Sequence, residues 1–75
     1  MEIIKKLRNL RGVSQQELSQ RTGLSLSYIS QLEKGKRDNV TLHNLRKISN
    51  VLSTDLWKMI KMQDLGIDVV AREDT

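Results

Sequence analysis

The sequence is marked first by what it lacks. It has no cysteine, which excludes disulfides, cysteine-ligated metal sites and thiol nucleophiles. Its single histidine, His43, excludes a multi-histidine metal centre. It has no apolar run of about 18 residues that could span a membrane, and Ile3 and Ile4 are followed at once by two lysines, unlike a signal peptide. These absences fit the reducing cytoplasm, and we expect a cytoplasmic protein without a metal or cofactor.

The remaining composition indicates one small binding domain. A chain of 75 residues is near the lower limit for a core that folds unaided. The sequence offers no nucleophile–base pair, no phosphate-binding glycine loop and no paired carboxylates in an apolar setting, so we predict no enzymatic activity. Its only aromatic residues are Tyr28 and Trp57, which argues against a site that stacks unpaired bases.

The charge is unevenly distributed along the chain. Residues 1–62 carry 12 Lys and Arg against 5 Asp and Glu, which gives +7. Residues 63–75 carry one Arg against four acids, which gives −3. A basic body with an acidic tail suggests a polyanionic partner for the body. An ordinary solvated surface accounts for the same charge, so charge alone does not decide.

Short polar residues and glycines divide the body into five helices. The first spans Glu2–Arg11 and stops at Gly12. The next three begin with a hydroxyl N-cap flanked by an apolar pair at the spacing of a hydrophobic staple. Those caps are Ser14, Ser25 and Thr41. The fifth helix begins after either Ser53 or Asp55, and the sequence leaves both open.

The pattern changes in the tail. Leu65, Ile67 and Val69 alternate with other residues at a period of two, which fits either a short strand or a flexible end. We therefore predict an all-α, five-helix domain over residues 1–62 and a separate acidic tail over residues 63–75.

The second and third helices carry the functional signal. Over residues 14–33, two short capped helices flank a turn at Gly23, which is the form of a helix-turn-helix, although a plain helical hairpin has the same outline. With Ile29 and Leu32 inward, the outward face of the third helix presents Ser27, Ser30, Gln31 and Lys34. None of these is acidic, so the face can approach phosphates and bond base edges. Donors suited to phosphates flank it: Gln15, Lys34, Lys36 and Arg37.

These motifs resemble the phage repressor and Cro family, the XRE-type helix-turn-helix regulators of bacteria. The resemblance rests on Ser-Gln-Gln-Glu-Leu at 14–18 and Tyr-Ile-Ser-Gln-Leu-Glu-Lys-Gly-Lys at 28–36, with Gly-Leu-Ser at 23–25 between them. It covers about residues 3–61. It implies a five-helix domain that binds operator DNA, usually as a twofold dimer.

The resemblance also implies roles for individual residues. It places Gln15 and Ser25 at phosphates, and Lys34 and Lys36 near the DNA backbone. It places three residues at base edges: Leu26, Ser27 and Gln31. Arg8 and Glu33 match an ion pair between the first and third helices, which holds the third helix, the recognition helix of the motif, in place. Tyr28 fits either a packed flank or a further phosphate contact.

The chain departs from the family pattern in three places. Ser19 stands where alanine is usual, and a hydroxyl at this position can bond back to a helical carbonyl. The loop at 36–40 lacks the usual proline, and the joint at 52–55 lacks the usual glycine-valine pair. None of these differences removes an expected DNA contact.

The sequence supports one main hypothesis for the function of the chain and leaves two alternatives open. The chain is predicted to be a transcriptional regulator, most simply a repressor, bound as a homodimer to a near-palindromic double-stranded operator. The predicted dimer contacts are Trp57, Leu65, Ile67 and Val69, although Trp57 could instead cap the core. The alternatives are an antitoxin-type module whose tail binds a protein partner, and a controller of a restriction–modification system.

Overall fold

The computed structural model describes residues 1–36 and 40–65, and these fold into five α-helices without a strand. The helices are α1 (Glu2–Arg11), α2 (Gln15–Thr22), α3 (Leu26–Glu33), α4 (Leu42–Val51) and α5 (Leu56–Leu65). The all-α, five-helix prediction is confirmed. Helix α5 continues past Met62 to Leu65, so the first residue of the period-two segment is helical. Ile67 and Val69 lie outside the described residues.

The helix starts follow the predicted side-chain caps. The hydroxyls of Ser14, Ser25 and Thr41 each accept a hydrogen bond from the backbone N–H three residues later, at 3.0, 3.0 and 3.1 Å. At α5, Asp55 Oδ1 accepts from Lys58 N at 3.0 Å, which settles the choice that the sequence left open. Each bond satisfies one of the four N–H groups that a helix start leaves without an internal partner.

All five helices contribute to one core. Seven apolar side chains are fully buried: Ile4, Leu18, Ile29, Leu32, Ile48, Leu52 and Met59. Removing a side chain of this size from water contributes about 1.5–3 kcal/mol. Helix α3 has only 8 residues, too few to be stable in isolation. Its orientation is therefore set by its packing against α1 and α2.

Helix α1 is bonded to α5 and to the joint between α4 and α5. Near its start, Ile3 N donates to Gln63 Oε1 at 2.9 Å, and at its end Arg11 Nε donates to the Leu52 carbonyl at 2.8 Å. Ser53 follows with φ +55°, the left-handed conformation that glycine adopts readily and other residues rarely. Because this joint has a serine where the family usually has glycine, the serine backbone is strained. The guanidinium of Arg11, whose Nη2 lies 3.4 Å from the Ser53 carbonyl, holds it in place.

We predict that Ser53→Gly stabilises the protein. Removing the steric conflict of Cβ in the left-handed region relieves about 1 kcal/mol. For a domain of this size that raises Tm by about 4–8 °C. Thermal unfolding followed by circular dichroism measures the change.

Gly23→Ser is the matched reverse substitution. Gly23 has φ +78° and open space around its Cβ position, so a serine there suffers backbone strain alone. It should lower Tm by a similar amount. Equal Tm values for wild type and Ser53→Gly contradict the strain at Ser53.

Candidate nucleic-acid interface

The turn between α2 and α3 is fixed by hydrogen bonds. Gly23, in the left-handed region, donates its N–H to the Ser19 carbonyl at 2.9 Å. Thr22 Oγ1 donates to the Leu18 carbonyl at 2.7 Å and accepts from Leu24 N at 3.2 Å. Ser19 Oγ donates forward across the turn to the Leu24 carbonyl at 2.6 Å. The Ser19 hydroxyl therefore does not bond back within its own helix but connects α2 to the segment that leads into α3.

Helix α3 presents its polar face to solvent. Ile29 and Leu32 are fully buried, whereas four residues on the other side are exposed: Leu26, Ser27, Gln31 and Lys34. Ser30 is half-buried, so it contributes less to this face than its position in the sequence suggests. The single acid in the α3 sequence, Glu33, is buried at 6% exposure. The exposed face of α3 therefore carries three polar or basic side chains and one leucine, and it is free of negative charge.

Glu33 is held by a buried ion pair with α1. Arg8 Nε donates to Glu33 Oε2 at 2.8 Å, and Arg8 Nη2 donates to Oε1 at 3.1 Å. The side chains are 11% and 3% exposed, respectively. The remaining guanidinium nitrogen, Nη1, donates to the Val13 carbonyl at 3.0 Å. A single arginine thus connects α1, the loop before α2 and the end of α3.

The same carboxylate holds the first residue of α2. Gln15 is half-buried, and its Nε2 donates to Glu33 Oε1 at 3.0 Å. Sequence reasoning missed this contact, because the spacing of Gln15 and Glu33 along the chain gives no sign that they meet. It follows from the packing of α2 on α3, which places the start of one helix beside the end of the other.

The end of α3 also meets the start of α1. The Met1 α-ammonium donates to the Leu32 carbonyl. Partial burial lowers the pKa of this amine, and the nearby Glu33 and Glu2 carboxylates oppose the shift. Helix α1 therefore contacts the end of α3 at two places, at its beginning and at Arg8.

The structure places the other proposed DNA-contact residues as follows. Ser25 and Lys36 are exposed beside α3, and Arg37 lies outside the described residues. Tyr28 is half-buried, and its hydroxyl accepts from Asn44 Nδ2 at 3.1 Å. Tyr28 therefore packs toward α4, which fits the interpretation of this residue as a packed flank of α3.

Of the proposed dimer contacts, one side chain is described. Trp57 is 61% exposed on α5, which excludes a role as a buried core cap. Leu65 is described only as the last residue of α5.

Outside the hydrogen-bond network around Glu33, the described residues offer no unpaired buried polar group and no metal site. In residues 1–36 and 40–65 every buried side-chain nitrogen or oxygen has a hydrogen-bond partner, and no group of acids and histidine could hold a metal ion. Over the same residues no helix has the length and apolar character to cross a membrane. What remains is a surface with exposed cations beside the acid-free exposed face of α3.

Two short capped helices, a glycine turn and an exposed acid-free face on the second helix define a helix-turn-helix. The helix-turn-helix family model matches residues 4–56, and the chain therefore belongs to this family. The similarity to XRE-type regulators drawn from the sequence is confirmed. By its family the chain is a DNA-binding regulator of transcription and not an enzyme.

Curated relatives agree with this family. The chain is 34% identical to control protein C.SmaI of Serratia marcescens, over 85% of this chain and 75% of that protein. It is 31% identical to the HTH-type transcriptional regulator SinR of Bacillus licheniformis, over 81% of this chain and 55% of that protein. It is 30% identical to the regulator SlrR of Bacillus subtilis, over 92% of this chain and 45% of that protein. The chain thus spans about half the length of the latter two regulators. No solved structure matches it significantly.

We predict that Arg8→Met destabilises the fold far more than Lys5→Met. Arg8→Met leaves the Glu33 carboxylate buried without its charge partner, which costs about 3–5 kcal/mol. Lys5 is an exposed residue on the same helix and is the matched control. Thermal or urea unfolding measures both variants. Matching midpoints for the two variants contradict the structural role given to the ion pair.

Proposed function

We propose that the chain binds double-stranded DNA in a sequence-specific manner, with α3 in the major groove. The observation that carries this proposal is the exposed, acid-free face of α3 on a helix whose end is fixed by a buried ion pair. Major-groove readout requires a helix surface that bonds base edges without repelling phosphates. A helix whose orientation is fixed before binding loses less entropy on binding.

The proposed contacts fall into two groups. Leu26, Ser27 and Gln31 read base edges: an amide can bond adenine in two places, and an apolar side chain can contact a thymine methyl. Contacts to the DNA backbone come from residues at the ends of α2 and α3 and in the following loop: Gln15, Ser25, Lys34, Lys36 and Arg37. The hydroxyl of Tyr28, held beside Asn44, is a secondary candidate for a phosphate.

The proposal extends to a homodimer on a near-palindromic operator, acting as a cytoplasmic repressor. One recognition helix covers few base pairs, and a twofold dimer doubles the site with half-sites about 34 Å apart. Trp57 supports this assembly, because a large aromatic side chain that is mostly exposed is typical of an interface core. If the acidic tail lies at the dimer interface, it is kept away from the DNA phosphates.

A second role is favoured by one comparison. C.SmaI is named a control protein, and the match covers most of both chains. A controller of a restriction–modification system would use the same α3 face and the same dimer. Footprinting on the chain's own upstream DNA and on neighbouring genes distinguishes this role from that of a general repressor.

We predict that Gln31→Ala weakens binding to the selected operator but not to random duplex DNA. Loss of a bidentate base contact costs about 1–3 kcal/mol on the cognate site. Fluorescence anisotropy with an operator obtained by in vitro selection measures the effect. Gln20→Ala, an exposed glutamine on α2, is the control and should bind like wild type. Equal losses on operator and random DNA contradict base readout by Gln31.

We predict that Trp57→Ala weakens dimerisation and operator binding together. Removing an aromatic anchor from an interface costs about 2 kcal/mol or more, and the monomer should stay folded because Trp57 lies outside the core. Leu42→Ala, a leucine on α4 that is 50% exposed, is the control. Sedimentation equilibrium gives the association constant. An unchanged dimer in Trp57→Ala excludes this interface, and a wild-type monomer at micromolar concentration excludes the dimer.

A further inference from the structure

The Glu33 carboxylate has two hydrogen-bond partners, which differ in how close they lie to the protein surface. Arg8 occupies it from the core side with two hydrogen bonds, at 2.8 and 3.1 Å. Gln15 reaches it from the start of α2 with one hydrogen bond, at 3.0 Å. Arg8 is buried, whereas Gln15 is half-buried. Gln15 is thus the member of this network that extends from the buried pair toward the surface.

The bond to Glu33 restricts the amide of Gln15. A primary amide is planar and carries two N–H donors and a carbonyl acceptor. When one N–H is committed to the carboxylate, the plane of the amide is fixed and the second N–H stays available to another acceptor. A glutamine side chain otherwise loses much rotamer freedom when it is immobilised. Here that ordering takes place when the protein folds.

We infer that Glu33 is a positioning residue for DNA binding: it holds the amide of Gln15 in the orientation that donates to a DNA phosphate. Glu33 touches no nucleotide itself and acts through Gln15. The inference rests on the proposed function and adds to it the residue that prepares one phosphate contact.

The network also needs Arg8, for an electrostatic reason. A carboxylate close to the DNA backbone repels phosphate, and a buried carboxylate without a partner is costly. The bidentate contact from Arg8 neutralises Glu33 while leaving one of its oxygens able to accept from Gln15. Arg8 therefore makes it possible for an acid to orient a group beside a polyanion.

The test replaces the ion pair without leaving a buried charge. In Arg8→Met/Glu33→Met both charged partners become apolar, an exchange that is often neutral or stabilising for a buried pair. Circular dichroism verifies the fold. If Glu33 positions Gln15, this double variant binds random duplex and operator about tenfold more weakly, as Gln15→Ala does in the wild type, in line with one hydrogen bond to a charged group. Adding Gln15→Ala to the double variant then causes no further loss.

Two results overturn the inference. One is full DNA affinity in the folded double variant, which makes the ion pair purely structural. The other is an undiminished effect of Gln15→Ala in that variant, which means that Gln15 needs no support from Glu33. Gln16→Ala, an exposed glutamine next to Gln15, controls for changes in the start of α2.

A second measurement does not depend on any variant. In NMR spectra of the wild-type protein, the side-chain amide protons of Gln15 should exchange with solvent more slowly than those of Gln16, and should shift when duplex DNA is added. Equal exchange rates for the two glutamines overturn the inference.

The proposed function fails separately from this inference. Lys34→Ala should weaken binding to all sequences and reduce the salt slope by about 1. If that result holds while Gln15→Ala has no effect, DNA binding stands and the role of Glu33 falls. If wild type binds no duplex at all, both fall.

Discussion

The buried pair between Arg8 and Glu33 is the interaction on which the rest of the structure depends. It joins the first helix to the end of the recognition helix, and its remaining hydrogen bonds reach the Val13 carbonyl and the Gln15 amide. Helix α3 is too short to hold its own geometry. Apolar packing on Ile29 and Leu32 fixes which face is inward, but such packing is non-directional. Directional constraints at the end of α3 come from the ion pair and from the Met1 ammonium at the Leu32 carbonyl.

The pair also explains the electrostatic character of the α3 surface. The acid of α3 is buried and neutralised, so the outward side carries Lys34, polar groups and the apolar Leu26, and no negative charge. On α2, Glu17 lies 3.5 Å from Arg21 in an exposed pair, which contributes little to stability but balances the local charge. A polyanion approaching the helix-turn-helix therefore meets cations and hydrogen-bond donors. This is the condition under which phosphate contacts supply affinity and base contacts supply specificity.

Features that depend on neighbouring residues could be predicted from the sequence. Contacts between residues far apart in the chain could be predicted only from the family resemblance, and some could not be predicted at all. The caps at Ser14, Ser25 and Thr41 were predictable because a cap depends on neighbours within one turn. The pairing of Arg8 with Glu33 came from the family pattern. The contact of Gln15 with Glu33 could not be predicted, since it depends on how α2 crosses α3. The direction of the Ser19 hydroxyl also lay beyond local reasoning, because the carbonyl that it bonds belongs to the turn.

We propose that α3, held by the ion pair, presents its outward face to the major groove. An NMR titration of the 15N-labelled chain with a duplex operator tests it most directly. We expect the signals of Ser27 and Gln31, together with those of Gln15, to shift strongly and to saturate at a stoichiometry of one chain per half-site. Shifts confined to α1, α4 or α5, with those of α3 unchanged, would contradict it.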